Sequence, residues 1–304
     1  MNNIEFETNI VNYLEEKLSG KCEVVPTSVL KNNGTVLRGI RFVSEGNVVQ
    51  PTVYLNNYRH FFEEGKSVEE IGEILLEDYN DATLDIAPDL SFFYDYSSMK
   101  DRVMCKLINL KKNKELLKDV PHVPFLDLAV VFYCRLELSR QGVGTILIHN
   151  CHLKNWGIDV SRLYEDALNN NGRLLGSKTT PIGEMLTELM GLMAKAHKET
   201  TPLRLSEDEL RDTNMYVLTN KEGLNGAACM LDKELLQAFS KTHGGDYIII
   251  PSSVHELILL PGDLVGDAKQ LKKIVKYING TEVSDEDVLS DEVYIYDCKK
   301  KAVV

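Results

Sequence analysis

Strand-like segments in this sequence outnumber the helices that would have to alternate with them in a parallel sheet, and that imbalance constrains the fold more than any other feature. CEVVPTSVL, TVLRGIRFV and PTVYL follow one another after one helix; DLAVVFYCRLEL is followed by GTILIHN, and DYIIIP by HELILLP. The expectation is an α+β fold, with mixed, largely antiparallel sheets and helices packed on them, rather than a doubly wound one. The apolar runs Ile146 to Ile148, Ile248 to Ile250 and Leu257 to Leu260 are strand-length, far short of the roughly twenty residues needed to span a bilayer.

The punctuation between these segments suggests two units. Phe6, Ile10, Leu14 and Leu18 recur every four residues, an amphipathic helix that Gly20 can end. Lys31-Asn32-Asn33-Gly34 carries the Asn-Gly pair of a hairpin turn, and Ser67 with Glu70 forms a capping box ahead of Val68, Ile71, Leu75 and Tyr79 on one helix face. A polar stretch from Asn109 to Lys118, followed by Pro121 and Pro124, marks a boundary near residue 120. Residues 1–120 then read α-β-β-β-α-α. In residues 121–304, Asp159 caps a helix through Leu163 and Ala167 to Asn170, and Ile182, Met185, Leu189 and Met193 recur at helical spacing as core filler. From residue 214 the order reads β-β-α-β-β-α-β, with AACML as its second strand, a helix between Asp232 and Gly244-Gly245, a helix from Asp267 to Gly280 and EVYIYD last.

Charge and cysteine content remove several functions. With 34 Lys plus Arg against 46 Asp plus Glu, the formal charge is −12, which repels polyanions at long range and argues against a nucleic-acid partner. Lys106, Lys111, Lys112, Lys114 and Lys118 are the one basic cluster; lacking interleaved aromatics, they read as a solvated face. Six dispersed cysteines contain no C-x-x-C pair, so reduced thiols in a cytoplasm fit better than a disulfide framework. The acidic N-terminal segment lacks the basic and apolar regions of a secretory signal. A cytoplasmic protein with no membrane partner is expected.

Pro251-Ser252-Ser253-Val254-His255-Glu256 is the most site-like segment, setting Ser252, Ser253, His255 and Glu256 between two apolar strands. If it were extended, Ser253 and His255 would share a face roughly 7 Å apart, with Glu256 on the other. A triad would then need an acid from elsewhere, Asp246, Asp263 or Glu222; the structural reading is a turn whose serines cap backbone groups and whose histidine bonds locally. His149, Cys151 and His152 with Cys134 lack the paired spacing of a zinc site. Gly142-Val143-Gly144 precedes a strand instead of opening a helix, so no phosphate loop is expected. Tyr54, Tyr58, Phe61 and Phe62 read as core, and Ser284 to Asp287 with Asp291 and Glu292 as a solvated loop lacking a calcium pattern. No cofactor or metal is implied.

Three stretches, KNNGTVLRGI with PTVYLNNY, KLINLKKNKELLKDVPHVPFLDLAVVF, and DYIIIPSSVHELILLP, resemble an uncharacterised bacterial family known only as a domain of unknown function, over nearly the whole chain. Leu163-x3-Ala167-x2-Asn170 and the IIIPSS strand end are similar to a second uncharacterised bacterial family. Neither resemblance implies an activity, cofactor or site residue. The expected function is a non-catalytic binding or regulatory protein offering a concave surface to a protein or small molecule; the alternative is a hydrolase with Ser253 or Ser252 as nucleophile and His255 as base.

Overall fold

A computed structural model of the chain describes residues 3–43, 52–85, 90–138, 142–184, 214–262 and 268–304. Helix α1 (Asn3–Lys17) is followed by strands β1 (Glu23–Leu30), β2 (Val36–Val43) and β3 (Thr52–Tyr54), which form an antiparallel sheet in that order. Helices α2 (Arg59–Glu63) and α3 (Val68–Asp85) complete the layer. The four-residue repeat of α1 puts Phe6, Ile10 and Leu14 into one core with Ile40, Phe42, Ile71 and Leu75. Tyr58 is buried in it, and Phe61 and Phe62 pack against it. At the head of α3 the capping box forms as expected: the Glu70 carboxylate accepts from the Ser67 N–H, and the Ser67 hydroxyl from the Glu70 N–H. Between β1 and β2, Asn33 and Gly34 take φ of 58° and 78°, the left-handed backbone that Asn-Gly tolerates.

The remaining described elements build two further sheets. After α4 (Tyr96–Met99) come β4 (Val103–Asn109), β5 (His122–Phe125), β6 (Leu128–Leu138) and β7 (Gly142–Leu147). Strand β4 runs along one edge of β6, while β5 and β7 share the other. Position 120, expected as a boundary, lies inside this sheet, between β4 and β5. The lysine-rich stretch is therefore a connection within the sheet. Helices α5 (Asn150–Trp156) and α6 (Val160–Asn170) follow, the latter ending in a π-helical turn, Asn171–Leu175. The third sheet has β8 (Lys178–Pro181), β9 (Tyr216–Thr219), β10 (Tyr247–Ile250), β11 (Leu257–Pro261), β12 (Tyr294–Asp297) and β13 (Ala302–Val303), in the order β13-β12-β10-β11-β9-β8. Helix α7 (Lys233–His243) precedes β10, and α8 (Ala268–Thr281) precedes β12. Every pairing in the three sheets is antiparallel. The fold is α+β, as the strand-to-helix imbalance requires.

Two readings are corrected. AACML is not a strand: Gly226–Leu231 is a 3-10 helix entered through Asn225 at φ 55° and ended by Asp232, which caps α7 by accepting from the Leu235 N–H. Its residues are apolar because Ala227, Met230 and Leu231 are buried in the central core, not because they pair in a sheet. And β4 was missed, since a lysine interrupts its apolar run. The helix read through Met185, Leu189 and Met193 lies outside the described residues beyond 184.

The largest core lies between the second and third sheets. Alternation on β4 and β6 sends Val103, Cys105, Leu107, Leu128, Val130, Phe132 and Cys134 into it, against Leu163 and Ala167 of α6 and Tyr247, Ile249, Leu257 and Leu259. The opposite face carries two smaller clusters, one with Ile108, Ala129 and Val131, the other with Met104 and Tyr133. Between Met104 and Ile108 stands Lys106. At the outer edge of β4, the Asn171 side chain imitates a neighbouring strand: its Oδ1 accepts from the Cys105 N–H at 3.1 Å and its Nδ2 donates to the Cys105 carbonyl at 2.9 Å. Asn170, buried, donates to the Lys100 and Val103 carbonyls.

The β1–β2 turn docks on the rest of the molecule through asparagines. Asn32 Nδ2 donates to the Glu286 carbonyl, and Asn33 Nδ2 to those of Asp285 and Val288. Asn113, buried, accepts from the Asn33 N–H and donates to Asn32 Oδ1, Asn33 Oδ1 and the Asn109 carbonyl. The acidic loop expected to be simply solvated thus offers its carbonyls as a socket.

Candidate functional site

The segment between β10 and β11 is a turn, which places its polar residues differently from an extended strand. Ser252 Oγ donates to Glu256 Oε1 at 3.4 Å, and Ser253 Oγ accepts from the His255 N–H at 3.0 Å. His255 Nδ1 accepts from the Asn225 N–H at 3.2 Å, which fixes the other nitrogen as the donor, and Nε2 lies 3.1 Å from Asp287 Oδ1. The His255 carbonyl accepts from Thr219 Oγ1 at 2.7 Å. Both ring nitrogens are thus engaged away from the serines, and the hydroxyl-to-imidazole bond that a serine nucleophile needs does not form. His255 ties the loop before the 3-10 helix to the loop after α8. His255→Ala leaves the Asn225 N–H and the Asp287 carboxylate without that partner, and we expect a loss of about 1–3 kcal/mol in urea unfolding; unchanged stability would contradict a structural role.

His255 also borders a cavity of about 200 Å³ that the sequence did not signal, with Lys31, Asn32, Lys106, Asn225, Glu286 and Asp287 among its lining. Lys106 is its most unusual member. The other six residues of β4 are buried, and its cross-strand neighbour is Val131. Burial, with the positive charge of Lys31 adding to it, pulls the Lys106 ammonium below the usual lysine range, against the opposing pull of Glu286. Of the five clustered lysines, Lys111, Lys112, Lys114 and Lys118 are exposed as expected, and Lys106 is the exception. Period-2 reading of VMCKLIN was the available signal. Nearby, burial pushes the Tyr133 hydroxyl up to about 12, while a hydrogen bond with Asn225 draws it the other way.

A larger cavity, about 680 Å³, lies where the π-helical turn after α6 faces the 3-10 helix and the start of α7. Tyr164, Leu168, Leu175 and Leu231 give it an apolar wall, and Arg173, Asp232, Lys233 and Glu234 give it charge. Arg173 is held by the Asp101 carbonyl and Asn170 Oδ1. Cys229 reaches the cavity, but burial, with the Asp232 charge in support, pushes its thiol up to about 12, so it is no thiolate near neutral pH.

The histidines after β7 serve a helix end. His152 Nδ1 accepts from the His149 N–H at 3.0 Å, His149 Nδ1 meets Asp119 Oδ2 at 2.8 Å, and the His152 ring packs on Phe93 and Trp156. Among the described residues no group of three or more His, Cys, Asp or Glu side chains is placed to hold a metal ion. No helix among them is long and apolar enough to cross a membrane.

Residues 4–298 match the sequence model of DUF5688, a family of unknown function. No curated protein and no solved structure matches the chain.

Proposed function

Since the chain belongs to DUF5688, a family of unknown function, we propose its role from its own geometry: a cytoplasmic, non-catalytic protein that binds a small organic molecule in the 680 Å³ cavity beside the π-helical turn. The carrying observation is the cavity itself, which falls in the size range of metabolite sites and combines an apolar wall with a few charged groups, as such sites do. The π-helical turn supports the reading, because such turns interrupt the helical ladder and recur where function needs it. Arg173 and Lys233 would meet the polar end of the ligand, and Tyr164 and Leu168 its apolar part. In this reading Ser252, Ser253 and Glu256 hold a turn, and His255 borders the smaller cavity.

Gly172 gives a clean test. It lines the large cavity, a Cβ there would meet nothing within 4 Å, and its φ is not positive. Gly172→Phe should therefore fill the cavity with little change in melting temperature. A thermal-shift screen of nucleosides, amino acids, sugars and acyl compounds against the native chain should find a ligand whose shift disappears in Gly172→Phe. A screen in which every stabilising ligand keeps its shift in that variant, or in which none is found, removes the proposal.

A further inference from the structure

A lysine in a strand whose other six residues are all buried needs a reason, because an ammonium taken from water costs free energy unless something answers its charge. Among the described residues the Lys106 ammonium has no hydrogen-bond or ion-pair partner. What it has is the 200 Å³ cavity, where Lys31 lies near enough to repel it. Lys31 is itself held over the Tyr54 ring, 4.5 Å from its centroid, an attraction that leaves its charge in place. Two carboxylates also line the space. Asp287 is committed to His255 Nε2 and to the Ser284 hydroxyl, which leaves Glu286 as the uncommitted one. Both of those donors are neutral, so Asp287 keeps its charge and the four side-chain charges of the lining balance; what the Lys106 ammonium lacks is an acceptor within hydrogen-bond reach.

We propose that this cavity is a binding site for a small monocarboxylate, held by the Lys106 ammonium with Lys31 beside it. A carboxylate supplies that acceptor while adding a single negative charge. A phosphate dianion adds twice that charge against Glu286 and Asp287, so the acidic rim selects the smaller charge. The apolar wall, Leu107, Ile108 and Val254, suits a short carbon skeleton behind the carboxylate, and the volume admits nothing large. The walls come from the β1–β2 turn, β4, the loop before the 3-10 helix, and the loop after α8, so an occupant would touch every part that the asparagine socket joins.

The site is distinct from the 680 Å³ cavity, and its test is independent of that proposal. Isothermal titration of the full chain with acetate, pyruvate and inorganic phosphate, at matched ionic strength, reads it directly. The expected result is saturable binding of acetate or pyruvate near one per chain, with phosphate weaker. Lys106→Met, which extends the apolar strand face, should lower the affinity about tenfold to a hundredfold; Lys31→Gln should lower it less, and Gly172→Phe should leave it unchanged. Absence of saturable carboxylate binding, phosphate binding more tightly than both carboxylates, or affinity unchanged in Lys106→Met overturns the proposal. If Lys106→Met does not fold, Lys31→Gln decides: unchanged affinity there overturns the proposal, and reduced affinity supports it.

Discussion

Gly226→Ala should be among the most damaging single substitutions in the chain, although it adds one methyl group. The 3-10 helix Gly226–Leu231 begins against the end of β9 and the turn that holds His255. A Cβ at Gly226 would collide with Thr219 Oγ1 and the His255 carbonyl and come within 2.8 Å of the Asn220 N–H nitrogen. Two of those three obstacles are backbone, so no rotamer change relieves them. The methyl also crowds both ends of the Thr219 to His255 hydrogen bond. Overpacking of this kind costs about 1–3 kcal/mol or more, and the broken bond adds about 1 kcal/mol. Urea unfolding should therefore show a loss of about 3 kcal/mol or greater, with the midpoint moving and the slope little changed. A loss under about 1 kcal/mol would mean that the β9 end yields easily and that the packing around His255 is looser than its contacts imply.

Where the sequence was legible, the signal was local. Phe6, Ile10 and Leu14 share one face whatever lies opposite them, and Ser67 and Glu70 meet because three residues separate them. The hairpin of β1 and β2 is in register because Asn33 and Gly34 take the backbone that their chemistry favours. The readings that failed were those in which burial decides. Gly226–Leu231 looks like a strand because five apolar residues in a row fit either structure, and only the approach of β9 and the position of Asp232 make it a tight helix. Strand β4 was obscured by Lys106 and by the basic run that follows it, both of which suggest solvent. Its neighbours Met104 and Ile108 are buried all the same, so alternation was stronger evidence than charge density.

The candidate sites were less legible still, because their walls are assembled from distant segments. Ser252 to Glu256 stood out as polar text between apolar strands, yet its polarity satisfies a turn. Of the four, His255 borders the 200 Å³ cavity. Lys31 and Lys106 lie 75 positions apart, Lys106 and Asp287 181, and Lys31 and Asp287 256, and no spacing rule connects them. The charged and apolar lining of the larger cavity likewise comes from α6, its π-helical turn and the start of α7.

Asn113→Asp should show how the β1–β2 turn is held, and it should do so with one atom changed. Asn113 is 1% exposed. Its Nδ2 donates at 2.9 Å to Asn32 Oδ1, at 3.0 Å to Asn33 Oδ1 and at 2.8 Å to the Asn109 carbonyl. Its Oδ1 accepts from the Asn33 N–H at 2.8 Å. Aspartate keeps the shape and that last bond but points an oxygen at three acceptors, so attraction becomes repulsion in a buried place. The carboxylate must then take up a proton or push the turn away, and a stranded buried polar group costs about 1–3 kcal/mol, more when it is charged. We expect a loss of about 3 kcal/mol or more at pH 7, and less at pH 4, where protonation restores one donor. The sign follows from the repulsion: a carboxylate disfavoured in the folded state has its pKa raised there, so stability falls as pH rises through the range between its unfolded and folded values. Asn113→Ala, which removes the bonds without adding charge, should lie between the two and show no such pH dependence. Limited proteolysis supplies the second readout. With Asn32 and Asn33 no longer anchored to Asn113 and to the carbonyls of residues 285, 286 and 288, cleavage in the β1–β2 turn should accelerate while the sheet of β4 to β7 stays protected. Equal protection of that turn in Asn113→Asp and the native chain would show that the carbonyl contacts hold it without Asn113.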